Sequence, residues 1–290
     1  MSAILIILGR VLASPIVNLF QKKLTNREVS PEIIVSASYL FFVLLSIPFF
    51  IYLRPFDLPA DFWLYITLLG VVDIFGNMFL VQSLRTIDLS VFGPLNSYKP
   101  VFALIFSIFF LREIPSIVGL IGVLIIIAGS YFLGYRPGIK RNGFREFITN
   151  KGIIYRFLAI ALTSIAAVFS KKTILLSSPL ITFMYWSVIG LPISIIFLFK
   201  ARTDWKKEIV KVRKQYQLFT LLFLSFLGLQ LFTLLTFEKV FVGYSLALFQ
   251  LSAVVSVFFG FHFFKESNLK YRLIGAMVMV FGALLIAIYG

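Results

Sequence analysis

Residues 95–129 read LNSYKPVFALIFSIFFLREIPSIVGLIGVLIIIAG, and residues 248–282 read LFQLSAVVSVFFGFHFFKESNLKYRLIGAMVMVFG. Laid over one another, they match at Leu95/Leu248, Val101/Val254, Phe106/Phe259, Phe110/Phe263, Glu113/Glu266, Leu120/Leu273, Ile121/Ile274, Gly122/Gly275 and Gly129/Gly282. The chain therefore carries an internal duplication with an offset of 153 residues. Outside these stretches, Phe20-Gln21-Lys22-Lys23 answers Phe169-Ser170-Lys171-Lys172. Those lysines are expected at the ends of membrane helices, anchored at the interface.

A helix needs about 20 apolar residues to cross a bilayer. Ten segments qualify, at 2–20, 31–53, 62–83, 90–111, 115–135, 153–170, 178–199, 216–237, 243–264 and 270–289. Five fall in each copy. Five is odd, so the second copy starts on the opposite side of the bilayer, the arrangement from which many transporters are built. The expected fold is an all-α integral membrane protein of ten transmembrane helices in two inverted five-helix repeats. Residues 1–137 form the first repeat, 138–152 a basic connector and 153–290 the second repeat. The runs are continuous and too long for the alternating strands of a β-barrel.

Composition agrees. Hydrophobic residues make up 60% of the 290 and charged residues 13%, with a mean hydropathy of +1.00. A soluble domain could not cover so much apolar surface. The sequence has no cysteine and one histidine, His262, so thiolate and multi-histidine metal sites are excluded and no metal or cofactor is expected. The net charge of +15 belongs to connectors, where it sets topology and meets anionic headgroups, not to nucleic-acid binding. The first apolar run has no basic segment before it and no small-residue cleavage site, so it reads as a span, not a cleaved signal. Most Lys and Arg lie in connectors opposite the N-terminus, including 136–151 and 200–214. The positive-inside rule then puts both termini outside the cytoplasm.

Residues Ser90-Val-Phe-Gly-Pro-Leu-Asn-Ser-Tyr-Lys-Pro100, the apolar run to Leu111-Arg112-Glu113, and Gly119, Gly122 and Gly129 after it resemble the EamA-type transporters of the drug/metabolite transporter superfamily. The second copy keeps Glu266, Gly275 and Gly282 but has Ala253 where Pro100 stands. The resemblance spans the whole chain. It implies a ten-helix permease with a central cavity for small metabolites, amino acids or drugs, and both termini in the cytoplasm, opposite to the charge reading.

Charges near the bilayer midplane are costly and mark function. Arg10, Asp73 and Lys99 fall near the centres of the first, third and fourth spans. One carboxylate cannot neutralise two cations, so the spare charge favours a substrate with a carboxylate or other anionic group. Arg10, Ser14 and Asn18 make one polar stripe at i, i+4, i+8, Asp73 faces with Asn77, and Asn96 with Lys99. Gln230 shares a face with Thr233, and Gln250 occupies the repeat position of Ser97. The candidate substrate-binding set is Arg10, Ser14, Asp73, Asn77, Asn96, Lys99, Gln230 and Gln250. Arg10 paired with Asp73 as a structural ion pair is the competing reading. Pro94 and Pro100 are candidate kinks or gate hinges, and Tyr98, Tyr185 and Trp186 are candidate stacking groups. Glu113 and Glu266 read as interfacial ion pairs or caps. The glycines read as close-packing faces that serve either the fold or a homodimer.

Clustered acids and histidines are lacking, so no enzyme activity is expected. No ATP-binding motif is present, which leaves a secondary carrier working by alternating access, either facilitative or proton-coupled through Asp73. A lipid flippase or scramblase, or a drug exporter on the same scaffold, is the alternative. Arg10, Asp73 and Lys99 all lie in the first copy and their counterparts are neutral. The substrate-recognising charge is therefore expected from one half alone.

Overall fold

The computed structural model describes residues 3–53, 56–86, 95–96, 98–133, 150–200, 205–255 and 269–289. Pro94, His262, Glu266 and residues 138–149 of the connector lie outside these. The first half contributes α1 (Ala3–Asn26), α2 (Pro31–Leu53), α3 (Ala60–Thr86), α4 (Lys99–Leu111) and α5 (Ile117–Leu133). The second contributes α6 (Lys151–Leu176), α7 (Pro179–Lys200), α8 (Trp205–Lys214), α9 (Tyr216–Lys239), α10 (Val242–Phe249) and α11 (Leu269–Tyr289). Among the described residues, six helices, α1, α2, α3, α6, α7 and α9, are long and apolar enough to cross a membrane. The apolar helices α4, α5 and α10 are shorter, as is the apolar stretch Ile274–Tyr289 of α11. The short ones fall at the fourth and fifth places of both halves.

Large apolar side chains are exposed on the described helices, and the mainly apolar interior also holds polar side chains. Phe109 is 78% and Ile51 70% exposed, while Ser164, Ser187 and Thr173 are fully buried. Such hydroxyls spend their bonds on the preceding turn of their own helix: Ser164 donates to Ile160 O at 2.7 Å and Ser46 to Phe42 O at 2.8 Å. That satisfies a polar group without water.

Packing follows the duplication. α1 packs on α9, and its counterpart α6 packs on α3, the counterpart of α9. Three further pairs, α2 with α7, α4 with α10 and α5 with α11, join a helix to its own repeat equivalent. The glycines are consumed inside the chain at the last of these. A Cβ on Gly282 would stand 2.7 Å from Gly122 O, and one on Gly129 would stand 2.8 Å from Gly275 O. Backbone cannot give way as a side chain can. Gly282→Leu is therefore expected to destabilise by about 1–3 kcal/mol or more, read as a lowered melting temperature in detergent. Gly228→Ala is the control, because its Cβ would meet only Phe232, at 3.9 Å.

The lysines matched by the duplication do equivalent work. Lys22 Nζ donates to Leu84 O at 2.5 Å near the end of α3, and Lys171 Nζ donates to Phe237 O near the end of α9. Leu84 and Phe237 are themselves 153 residues apart. An ammonium is favourable against the carbonyl end of a helix. Interfacial anchoring is thus corrected for Lys171, which is 7% exposed. It also donates to Val240 O and lies 3.8 Å from Glu113 Oε1. Arg112 ends α4 in the left-handed region at φ 56°. Past this turn, Glu113 Oε2 accepts Val242 N–H at 2.8 Å, capping α10.

Burial is the leading influence on the Glu113 carboxyl and raises its pKa above the ordinary 4.5, against the Val242 N–H and Lys171. The folded state then holds this proton more tightly than the unfolded chain. Its stabilising contribution is complete below pH 4.5 and falls as pH rises through the folded pKa. Glu113→Gln keeps an acceptor for Val242 and is expected to flatten that part of the melting-temperature profile above pH 4.5.

The 200–214 connector contains a helix where the sequence reading had a loop. α8 is fixed to the turn between α1 and α2, where Glu28 takes φ 59°. Glu208 Oε2 accepts Ser30 N–H at 3.2 Å, Lys211 Nζ donates to Glu28 O at 2.6 Å, and Arg27 donates to Gln215.

Candidate functional site

The fourth span of each half is interrupted, at matching positions. In the first, Leu95 and Asn96 are helical, Tyr98 lies in a turn with its N–H donating to Leu95 O at 3.2 Å, and α4 begins at Lys99. Pro100 falls in its first turn, where a missing N–H breaks no helical bond. In the second, α10 ends at Phe249 and three-residue turns follow, with Leu251 N donating to Leu248 O and Ala253 N to Gln250 O. The interruptions are tied together, since Gln250 Nε2 donates to Asn96 O at 3.1 Å. Short, broken segments at corresponding places in the halves of a transporter point to its binding site.

A cavity of about 90 Å³ lies there, enough for several waters. Its wall draws on both halves: α1, α3 and the start of α4 from the first, and α6, α9 and the end of α10 from the second. Of the expected set, Arg10, Ser14, Asn77, Asn96, Lys99 and Gln250 line it. The stripe on α1 continues through Asn18 to Gln21. The helical period keeps these residues on one face, and packing on α9 turns that face inward. Asp73 and Gln230 are not among the lining residues. Gln230 is half-buried on α9.

Arg10 and Asp73 do not pair. Arg10 Nε donates to Thr233 Oγ1 at 2.7 Å, and its guanidinium lies 4.5 Å from the Phe249 ring centroid. Its Nη1 is buried without a hydrogen-bond partner among the described residues. Asp73 Oδ2 instead accepts Trp186 Nε1 at 2.8 Å, Asn77 Nδ2 at 2.8 Å and Tyr39 OH at 3.0 Å. Tyr39 gets there because α7 has Gly190 beneath its ring, where a Cβ would stand 2.1 Å from Tyr39 Cε1. Asp73 thus sits one residue behind the cavity, reaching it through Asn77. The stacking candidates are used in packing. Trp186 is 1% exposed, Tyr185 is set edge-on against Phe50, Phe62 and Trp63, and Tyr98 packs on Phe157.

Lys99 lines the cavity with no hydrogen-bond or ion-pair partner for its ammonium among the described residues, while Ser164 Oγ donates to its carbonyl at 3.3 Å. Arg156 is the residue that sequence reading missed. It lies on α6, 2% exposed, and its Nη2 donates to Asn96 Oδ1 at 2.5 Å. A cation within the run IIYRFLAIAL was the available signal, passed over because it stands near the start of its span. Arg156 corrects the expectation that only the first copy supplies charge. Arg10, Lys99 and Arg156 line one cavity from both halves, and no acidic residue is among its described lining residues.

No curated protein matches the sequence. A solved structure described as "Crystal structure of protein" superposes with a TM-score of 0.74 at 16% identity, over 98% of this chain and 96% of that one. At that identity the likeness speaks for the fold. The family described as the EamA-like transporter family matches twice, over residues 1–135 and 150–288. With apolar helices turned outward and a repeat-built scaffold around one polar cavity, this multi-pass membrane protein belongs to the EamA-like transporter family.

Proposed function

We propose that the protein is a secondary carrier that moves a small metabolite bearing a carboxylate or other anionic group, by alternating access through the cavity between its halves. The observation that carries this reading is the lining itself: Arg10, Lys99 and Arg156 together, without an acidic residue among the described lining residues. Cations at such depth are tolerated when they face a cavity and a counter-charge. Ten spans in two inverted five-helix repeats supply the motion. The exchange of partners between α1·α9 and α6·α3 supports this topology, because rocking one half against the other opens the cavity to either side in turn. Pro94 and Pro100 are the proposed hinges.

Uptake by liposomes holding the purified chain tests the reading, with a panel of amino acids and organic acids and with and without a pH gradient. Saturable uptake of anionic compounds is expected. Gradient dependence assigns proton coupling, its absence a facilitative carrier. Movement of labelled lipid between leaflets in place of solute uptake assigns a flippase. For topology, the charge reading puts α8 in the cytoplasm. Cysteine at position 207 is expected to react with an impermeant maleimide only after cells are opened, and labelling of intact cells reverses the orientation.

A further inference from the structure

One wall of the cavity is polar and unused. Ser14, Asn18 and Gln21 follow Arg10 along α1, and all four line the cavity. Hydroxyls elsewhere, such as those of Ser46 and Ser164, bond to their own helix. Ser14, Asn18 and Gln21 make no side-chain hydrogen bond with the described residues. Gln21 is 4% exposed, and its Oε1 is buried without a donor among them. Building on the carrier reading above, we propose that the substrate is a polyhydroxylated carboxylate, a sugar acid. Its carboxylate lies at Arg10 and Lys99, and its hydroxyls bond this stripe together with Asn77 and Gln250.

Arg10 is pre-set for the carboxylate. Thr233 and Phe249 fix its plane, and Nη1 lacks an acceptor among the described residues. Guanidinium N–H groups suit carboxylate oxygens. Asn77 and Gln250, which line the cavity from α3 and the end of α10, are each held by the amide nitrogen. Asn77 Nδ2 donates to Asp73 O at 3.0 Å and to Asp73 Oδ2 at 2.8 Å. Gln250 Nε2 donates to Asn96 O at 3.1 Å and to Leu246 O at 3.5 Å. These partners only accept, so each side chain has its oxygen left to offer, and that oxygen needs a donor.

A hydroxyl suits this lining because it both donates and accepts, as the amides and Ser14 do. An ammonium only donates, and it would stand near Arg10 and Lys99 with no acidic residue among the described lining residues. The stripe is also long. From Arg10 to Gln21 the helix rises about 16 Å, so one hydroxyl meets one of these groups, whereas a chain of hydroxylated carbons lies along them. Water satisfies the stripe while the cavity is open. When the carrier closes around its substrate, each buried polar group that loses its water without a substitute is penalised. Substrate hydroxyls take the place of that water, and an alkyl chain does not.

The test uses the full chain in liposomes, with labelled gluconate as the probe. Saturable uptake is expected. Unlabelled gluconate is expected to compete about tenfold or more better than hexanoate, which lacks the hydroxyls, or glucose, which lacks the carboxylate. In detergent, gluconate is expected to raise the melting temperature and hexanoate not to. Gln21→Leu removes no hydrogen bond to the described residues, so its melting temperature without ligand is expected to match wild type, while its KM for gluconate rises about tenfold. Asn18→Leu is a second variant with the same expectation, and Gly228→Ala is the control with unaltered KM. Hexanoate competing as well as gluconate, or an unaltered KM in both leucine variants, overturns the hydroxyl contacts and leaves an anion carrier. Glucose competing as well as gluconate overturns the carboxylate contact. Uptake of an amino acid or another organic acid with none of gluconate overturns the sugar acid and leaves the carrier. No uptake of any compound overturns the carrier reading along with this one.

Discussion

Lys99→Gln and Arg10→Gln are each expected to lower kcat/KM for the anionic substrate by about 10- to 100-fold, with little change in melting temperature for Lys99→Gln. A hydrogen bond to a charged group contributes about 1.5–3 kcal/mol, and every 1.4 kcal/mol is about tenfold. Lys99 makes no side-chain hydrogen bond or ion pair with the described residues, so its loss falls on the ligand and not on the fold. Arg10 is different in kind. Arg10→Lys keeps the charge but loses the fixed plane given by the Thr233 bond and the Phe249 ring, and is expected to recover only part of the activity. Initial rates of uptake measure both variants, and unaltered transport in Lys99→Gln removes the cationic cavity from the mechanism.

Asp73→Ala is expected to be the most damaging single change to stability. It orphans Trp186 Nε1, Tyr39 OH and an Asn77 Nδ2 bond at once. Each buried donor left without a partner costs about 1–3 kcal/mol, so the sum is several kcal/mol. Loss of monodisperse protein after extraction, or a collapse of the melting temperature, is the readout. Asp73→Asn keeps an oxygen at the site but presents an amide to some of the same donors, and is expected to fall between wild type and Asp73→Ala. A melting temperature for Asp73→Ala equal to wild type would show that the three donors find other acceptors.

Asp73 marks where one-dimensional reading stopped. Its residue type and depth singled it out, but the identity of its partners did not follow from spacing. Arg10 was the nearest cation in kind and Asn77 the nearest donor in register. Only Asn77 is a partner. Tyr39 and Trp186 come from α2 and α7, a helix pair that the sequence places far apart. The Arg10 stripe was easier, because Arg10, Ser14 and Asn18 share a face on any α-helix. Arg156 was harder, because depth read along one segment does not say what lies beside it. It reaches the cavity because α6 packs on α3 and α4, where Asn96 Oδ1 accepts its guanidinium.

The sequence by itself determined the membrane class, the duplication and the family pattern. Those depend on continuous apolar runs, an offset and a few backbone-demanding residues, all of which are properties of the chain in one dimension. Tertiary structure alone decided which charges meet. Asp73 faces Tyr39 and Trp186 in place of Arg10, Lys171 caps α9, and Arg156 joins Arg10 and Lys99. The reason is that an ion pair or a cavity is a statement about distances between helices. Those distances are set by interlocking surfaces such as the Gly122–Gly282 contact, whose effect no local pattern encodes.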